Sequence, residues 1–245
     1  MDQRQSSATS SAATAFPGAQ RFLCATAGAL VVSCQARPGE PLAKPHHMAA
    51  MARTVVLGGA AAVRAEGVDD VAAIRVAVDV PVLGLWKDGH EGVYITPTLR
   101  HALAVAQAGA DVVALDGTDR PRPDGRTLAD TVAELRAAGI AVMADISTAA
   151  EGTAAIEAGA QLISTTLSGY TPTSSRQDGP DVALVAELAA AHPGFPVVAE
   201  GRYRTPEDAA RALKAGAHTV VVGGAITRPL DLTARFAAAL APKDA

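Results

Sequence analysis

A lysine and three carboxylates stand at the ends of apolar segments, at positions where a buried strand would finish. They are Lys87, Asp116, Asp145 and Glu200. A lysine that loses hydration has a lowered pKa, whereas a neighbouring carboxylate raises it, so the two groups can share or relay a proton. If the fold brings them together, these residues are suited to moving a proton at a carbon atom.

Purely structural roles are the alternative for most of these residues. Lys87 could be a solvated lysine in the loop after its strand, and Asp116 and Asp145 could each cap a loop through backbone N–H groups. Glu200 fits such a role less well, because it directly follows the apolar segment 196–199, where a structural residue would be apolar.

The elements that must position these residues repeat along the chain. Short, β-branched, continuously apolar segments are typical of parallel strands buried on both faces. Each is ended by a polar residue or a glycine, in chain order Gln35, Arg64, Lys87, Asp116, Asp145, Thr166, Glu200 and Gly224.

Alanine-rich segments between these runs carry helix start and stop signals. Thr148 and Glu151 have the spacing of a capping box, and Thr205 followed by Pro206 is a typical helix start. The repeating unit is therefore strand, loop, helix and glycine. The glycines suited to a left-handed helix end are Gly109, Gly139, Gly159 and Gly216.

Eight such units predict one α/β domain over residues 21–245, folded as a (β/α)8 TIM barrel with eight parallel strands. The chain of 245 residues agrees with the roughly 250 typical of that fold. An open doubly wound sheet is the alternative, but it would more often show a glycine-rich dinucleotide turn after its first strand, and residues 36–41 read ARPGEP.

The last two strand ends predict a phosphate site in such a barrel. Gly201-Arg202 and Gly223-Gly224 follow the seventh and eighth apolar runs. Barrels frequently bind phosphate with these two loops, because bare backbone N–H groups and a helix dipole favour an anion. Glycine also serves tight packing and ordinary turns, so the pairs alone do not establish the site.

Composition narrows the setting of the protein. The net charge of −4 shows no basic stripe, which argues against a nucleic-acid partner. Two cysteines, Cys24 and Cys34, are too few for a disulfide framework and fit a reduced, cytoplasmic location. No segment reaches ~18 uninterrupted apolar residues, so we expect no membrane span.

Residues 1–20 are rich in Ser, Ala and Thr and predict a disordered N-terminal extension. The following sequence FLCATAGALVVSC is similar to a signal peptide with a lipoprotein-like site at Cys34. The charged lead is weak, however, and removal up to Cys34 would delete the first barrel strand. We therefore expect an extension and no secretion signal.

Histidines are absent from the predicted strand ends. A metal-dependent sugar-phosphate epimerase would need imidazole and carboxylate ligands together on the inner rim, so we expect no catalytic metal. The histidines fall instead in predicted helices, loops or a strand start, at His46, His47, His90, His101, His192 and His218.

Seven motifs in order resemble the N-acetylmannosamine-6-phosphate 2-epimerase family, over nearly the whole barrel. Several are polar and none is required by the fold, which makes the set specific. They are VVSCQARPGEPL (31–42), VYITPTL (93–99), ALDGTDRPRPDG (114–125), MADIST (143–148), TTLSGYT (165–171), AEGRYRTPEDA (199–209) and VVVGGAITRP (220–229).

The resemblance implies interconversion of N-acetylmannosamine 6-phosphate and N-acetylglucosamine 6-phosphate, a step in bacterial use of sialic acid and related amino sugars. In the open-chain sugar, the C2 proton lies α to the C1 aldehyde. A base can remove it to leave an enolate, which is reprotonated on the other face. This reaction needs no cofactor and no metal. Barrels of this kind often pair through helices, so a homodimer is one expectation.

Carried over residue by residue, the resemblance implies that Lys87 is the proton-transferring base. Glu200 would be the neighbouring carboxylate that assists proton transfer or ring opening. Gln35, Arg64 and Asp145 would orient the sugar or stabilise the enolate. The 6-phosphate would be held by Gly201, Arg202, Gly223 and Gly224.

Two features depart from the family pattern: the short, glycine-rich segment 88–92 after Lys87, and the extension over residues 1–20. Two other functions remain open. One is a non-catalytic barrel that binds a sugar phosphate, although such a protein would have no reason to keep Lys87 and Glu200 together. The other is an epimerase or isomerase for a different phosphorylated sugar.

Overall fold

Eight parallel strands close into a barrel in a computed structural model of the protein, which describes residues 16–241. Each strand pairs with the next in the chain, and β8 pairs with β1 to complete the ring. The predicted (β/α)8 barrel is thereby confirmed. The strands are β1 Leu30–Cys34, β2 Ala62–Glu66, β3 Val82–Leu85, β4 Val112–Asp116, β5 Ala141–Asp145, β6 Leu162–Ser164, β7 Val197–Glu200 and β8 Thr219–Val222.

Helices alternate with the strands, and a single 3-10 turn, Thr165–Leu167, follows β6. A short helix, α9, comes directly after β8 and precedes the last described helix, α10. The helices are α1 Pro17–Thr26, α2 Pro45–Leu57, α3 Val68–Ala77, α4 Leu99–Gln107, α5 Leu128–Ala137, α6 Ala149–Glu157, α7 Val182–Ala191, α8 Pro206–Lys214, α9 Gly224–Thr227 and α10 Pro229–Leu240.

The predicted helix starts and stops are confirmed. Thr148 and Glu151 form a reciprocal capping box at α6, and Thr205 accepts a hydrogen bond from the backbone N–H of Asp208 at 3.2 Å. These caps satisfy N–H groups that have no partner within the helix. Each predicted stop glycine has a positive φ: 104° at Gly109, 72° at Gly139, 95° at Gly159 and 102° at Gly216.

Helix α1 closes the N-terminal end of the barrel interior. Phe22 is fully buried against the first inward-facing residues of the strands, which include Val31 and Leu83. Helix α1 begins at Pro17, so residues 17–20 of the predicted disordered extension are helical. They belong to the helix whose apolar face covers this end of the barrel. Residues 1–15 lie outside the described part of the chain.

The second strand differs from its prediction in one respect. The sequence placed the end of the run at Arg64, whereas β2 continues to Glu66 and pairs with β3 through Leu85. Arg64 is therefore in the middle of a buried strand, only 1% exposed. Its burial is possible because carboxylates from other strands surround its guanidinium, as described below.

Candidate active site

Alternation along the strands places the polar residues inside the barrel. Successive residues of a strand face opposite sides, and the apolar interior includes Ala62, Leu85, Met143 and Val198. The inward-facing positions two residues further along each strand line the C-terminal mouth. They include Arg64, Lys87, Asp116, Asp145 and Glu200, and Gln35 two residues after the inward-facing Ser33.

Arg64 lies between two carboxylates from strands on the other side of the barrel. Its Nη2 donates to Oδ2 of Asp145 at 2.5 Å and its Nη1 to Oδ1 of the same residue at 3.2 Å. Nη1 also donates to Oε2 of Glu200. Bidentate pairing of this kind fixes the plane of the guanidinium as well as its position. The cluster of Arg64, Asp145 and Glu200 therefore links β2 to both β5 and β7.

Thr166 completes this cluster from the turn after β6. Its hydroxyl lies 2.8 Å from Oδ1 of Asp145, 3.2 Å from Oε2 of Glu200 and 2.8 Å from the hydroxyl of Ser164. Sequence reasoning singled out Thr166 as a strand end without assigning it a role. The structure shows that it bridges the two carboxylates.

Burial and pairing shift the pKa values of this cluster in a consistent way. Desolvation alone would lower the pKa of Arg64, but the charges of Asp145 and Glu200 outweigh it and raise that pKa, so the guanidinium stays charged. Burial, together with the nearby charge of Asp145, raises the pKa of Glu200 above its ordinary value, while Arg64 opposes the shift. Glu200 is thus the group in this cluster best suited to hold a proton.

Lys87 approaches the same cavity from the segment after β3. Its Nζ donates to Oε1 of Gln35 at 2.6 Å, and its backbone N–H donates to Oε1 of Glu66 at 3.1 Å. A single antiparallel bridge to Ile95 holds the returning strand of this loop. Sequence reasoning missed Glu66, although it is two residues after Arg64 and so shares its inward face.

The protein around Lys87 lowers its pKa even though the side chain keeps access to solvent through the open mouth. Loss of hydration is the main cause, and the charge of Arg64 acts in the same direction. The carboxylates of Glu66, Glu200 and Asp145 oppose the shift. A lysine with a lowered pKa is more often neutral near pH 7, as a general base must be.

A cavity of about 240 Å³ opens at the mouth above these groups. Gln35, Arg64, Lys87 and Glu200 line it, and Asp145, which is bound to Arg64, does not. The cavity is also lined by Tyr94, Leu167, Tyr170, Gly201, Gly223, Gly224 and Arg228.

The glycine end of this cavity carries a cation that sequence reasoning missed. Arg228 follows α9, lines the cavity beside Gly223 and Gly224, and pairs with Glu40 at 2.6 Å and Asp231 at 3.0 Å. The first N–H groups of a helix such as α9 have no carbonyl partner within the helix. An arginine beside such groups is suited to an anion.

Two of the polar residues noted in the sequence, Arg202 and Asp116, do not line this cavity. Arg202 does not line the cavity, and its guanidinium donates to backbone carbonyls of the β6–α7 segment. Asp116 accepts hydrogen bonds from the backbone and hydroxyl of Thr118 at 3.0 and 2.6 Å and pairs with Arg120 at 2.6 Å. Asp116 therefore organises the loop after β4, as its structural interpretation predicts.

Within residues 16–241, no three His, Cys, Asp or Glu side chains are arranged so that they could hold a metal ion. No helix in the described part of the chain is both long and apolar enough to cross a bilayer.

The sequence is similar to known proteins over most of its length. Residues 48–242 match the sequence profile of a family described as "Putative N-acetylmannosamine-6-phosphate epimerase". A protein of Cutibacterium acnes named "Putative N-acetylmannosamine-6-phosphate 2-epimerase" is 55% identical over 222 residues, which cover 90% of this chain and 97% of that protein. A protein of the same name from Caldanaerobacter subterraneus is 49% identical and covers 84% of this chain and 89% of its own length.

The fold is also similar to that of solved structures. The N-acetylmannosamine-6-phosphate 2-epimerase from Clostridium perfringens superposes with a TM-score of 0.85 at 42% identity, over 89% of this chain and 96% of its own. A thiamine phosphate pyrophosphorylase from Pyrococcus furiosus superposes with a TM-score of 0.58 at 19% identity and shares the fold alone.

Proposed function

The chain belongs to the N-acetylmannosamine-6-phosphate 2-epimerase family, and we propose that its mouth cavity interconverts N-acetylmannosamine 6-phosphate and N-acetylglucosamine 6-phosphate. The observation that carries this proposal is the convergence of Lys87, with a lowered pKa, and the Arg64–Asp145–Glu200 cluster on one cavity of sugar size. A proton carrier and a fixed positive charge are what inversion next to a carbonyl group requires.

The proposed reaction begins with the open-chain sugar. Neutral Lys87 takes the proton from C2, and the electron pair of the C–H bond moves toward C1, so that negative charge develops on the C1 oxygen. The Arg64 guanidinium, held rigidly by Asp145, supplies a fixed positive charge for that oxygen. A proton then returns to the opposite face of C2, either from protonated Lys87 or from protonated Glu200, which restores the C1 carbonyl group and gives the epimer; no electron leaves the substrate.

Glu200 assists this reaction from its position in the wall of the same cavity. Its raised pKa allows it to carry a proton at neutral pH, which suits it to donate to or accept from a sugar hydroxyl during ring opening. Gln35 orients the ammonium of Lys87 and lines the cavity beside it.

The 6-phosphate occupies the glycine end of the cavity in this proposal. Gly201, Gly223 and Gly224 let an anion approach the backbone closely, and Arg228 adds a positive charge. The reaction belongs to amino-sugar catabolism, including that of sialic acid, and its phosphorylated substrate favours a cytoplasmic location.

Deuterium exchange tests this function directly. The protein is incubated in deuterated water with N-acetylglucosamine 6-phosphate, and the C2 position is followed by NMR. We expect deuterium at C2 together with the second epimer. If neither appears, the proposal is wrong; equal turnover of mannose 6-phosphate, which lacks the N-acetyl group, would reassign the substrate.

We also propose that the protein is a homodimer in which the two copies exchange helix α10. This helix buries none of its residues, and Leu230, Phe236 and Leu240 are 57%, 73% and 83% exposed. In chain order α10 is the helix that should cover the barrel between β8 and β1. That place is instead an apolar groove of about 520 Å³ between α8 and β8, lined by residues including Leu30, Ala209, Leu213, Val220 and Ile226.

The exchanged helix predicts how the dimer can be broken. A charge at an exposed apolar position of α10 is incompatible with burial in the partner's groove, so Phe236→Glu should convert a dimer to a monomer. Light scattering coupled to gel filtration measures this mass. A wild-type protein that is monomeric at micromolar concentration would contradict the proposal.

A further inference from the structure

The turn after β7 directs Arg202 away from the substrate cavity. Gly201 and Arg202 both have positive φ, at 109° and 60°. A left-handed conformation is costly for a residue with a Cβ atom, so Arg202 must be held there by its contacts. Those contacts lie in the segment between β6 and α7.

The guanidinium of Arg202 joins the two ends of that segment. Its Nη1 donates to the backbone oxygen of Ser168 and its Nε to the backbone oxygen of Gly179, each at 2.7 Å. The hydroxyl of Ser168 also donates to Asp181 at 2.6 Å. Hydrogen bonds from a charged donor are among the stronger ones in proteins. One side chain therefore closes the loop 168–181 at its base.

This loop supplies part of the cavity wall. Tyr170 lines the mouth cavity while 58% exposed, and the guanidinium carbon of Arg202 lies 5.1 Å from the centre of its ring. A cation over an aromatic face stabilises the position of the ring. Leu167, immediately before the loop, lines the same cavity. The position of Tyr170 in this wall thus depends on a side chain that does not itself line the cavity.

We propose that Arg202 is a positioning residue, which fastens the loop 168–181 so that Tyr170 stands as a wall of the substrate cavity, and that Arg202 touches no atom of the substrate. The sequence-based assignment of Arg202 to the phosphate is replaced in this proposal by Arg228. The kinetic part of the inference rests on the proposed function, whereas the loop contacts do not.

Limited proteolysis tests the fastening without reference to any substrate. Arg176 is exposed in the loop and is a trypsin site whose cleavage requires the loop to open. Arg202→Gln should increase the rate of cleavage after Arg176 by about tenfold or more, since two charge-assisted hydrogen bonds are lost. Arg53→Gln, an exposed arginine on α2, is the matched control. An unchanged rate in Arg202→Gln would overturn the proposal.

Kinetics and anion binding separate positioning from direct contact. Arg202→Gln should raise KM about three- to tenfold with kcat changed less than about twofold, and inhibition by inorganic phosphate should stay at the wild-type level. Weakened inhibition by inorganic phosphate would overturn the claim that Arg202 does not touch the substrate, whatever the cleavage rate. If the protein turned over a different sugar phosphate, the proteolysis result would still stand on its own.

A second variant approaches the same contact from the loop. Gly169 has φ of 78°, and a Cβ atom built on it would lie 2.9 Å from Nη1 of Arg202. Gly169→Ala should therefore displace the guanidinium and also speed cleavage after Arg176, while the double variant with Arg202→Gln should add little. Full additivity of the two changes would contradict a shared mechanism. Thermal melting of each variant verifies that the barrel is folded.

Discussion

The ammonium of Lys87 donates a hydrogen bond to the amide oxygen of Gln35 at 2.6 Å. The amide nitrogen of Gln35 donates in turn to the hydroxyl of Ser33 at 2.8 Å. Because the amide group is occupied at both ends, its oxygen is fixed toward the lysine. A side chain that follows β1 therefore fixes the direction of the Lys87 side chain, which follows β3.

Replacing the lysine should stop proton transfer at C2. Lys87→Ala is expected to lower the rate of deuterium exchange by at least about 10³-fold, because it removes the base while leaving the glycine end of the cavity intact. NMR in deuterated water measures the exchange, and binding of N-acetylglucosamine 6-phosphate is measured by calorimetry. Lys214→Ala, an exposed lysine on α8, is the control. Near-normal exchange in Lys87→Ala would overturn its role.

Glu66 should set the pH at which this lysine works. The charge of Glu66 raises the pKa of Lys87 against the desolvation that lowers it. Lys87 acts in its neutral form in the proposed reaction, so activity should rise as the pH increases through that pKa. Glu66→Gln keeps an oxygen for the backbone N–H of Lys87 and removes the charge, so the rising limb of the kcat profile should move to lower pH. Gln35→Glu should move it to higher pH; shifts in the same direction would refute this reasoning.

Glu200 should contribute to activity at the expense of stability. Its pKa is raised in the folded state, so the folded protein binds more protons than the unfolded chain at pH values above the ordinary carboxyl range. The free energy of unfolding must then fall as pH rises through that window. Glu200→Gln should lose epimerase activity yet melt at the wild-type temperature or above, with the gain larger at pH 8 than at pH 5.

Asp145→Asn is the contrasting variant for that experiment. Asp145 is fully buried and makes the bidentate contact with Arg64, so its loss should cost roughly 3 kcal/mol of unfolding free energy, near the low end for a broken buried pair. Calorimetric melting across the pH range compares the two. A Glu200→Gln protein destabilised as much as Asp145→Asn would show that burial does not raise the pKa of Glu200.

Arg228 should affect binding and not the chemical step. Arg228→Gln is expected to raise KM for the sugar phosphate by about 10- to 100-fold, as for loss of a charge-assisted contact, with kcat little changed. Inhibition by inorganic phosphate should weaken in parallel. An unchanged KM would remove Arg228 from the phosphate site, and the comparison with Arg202→Gln tests which arginine binds the anion.

The strand ends of the barrel were largely predictable from the sequence. Buried parallel strands are continuously apolar, so Asp145 and Glu200 stand out where each run stops, and the structure places both at strand ends. Helix caps such as Thr148 were also predictable, because the residue that each cap binds is only three positions away in the chain. Local signals of this kind depend on neighbours in the chain.

The side-chain directions were less predictable, because they depend on partners far away in the chain. Arg64 looked like the end of a strand because a charge inside a strand is costly, and the carboxylates that neutralise it are 81 and 136 residues further on. The left-handed backbone conformation of Arg202 directs its side chain away from the cavity, and no pattern in the sequence predicts that conformation. Glu66 could have been predicted, because it lies two residues after Arg64 and so faces the same side of the strand.

The buried position of Arg64 has a consequence for how the chain folds. Its guanidinium belongs to the first half of the barrel, while both of its counter-ions arrive with β5 and β7 in the second half. A half-barrel of β1 to β4 would have to bury an unpaired cation or leave its interior open to water, and neither is stable. The Arg64–Asp145–Glu200 cluster thereby couples the two halves into one cooperative unit, and it forms only when the ring closes.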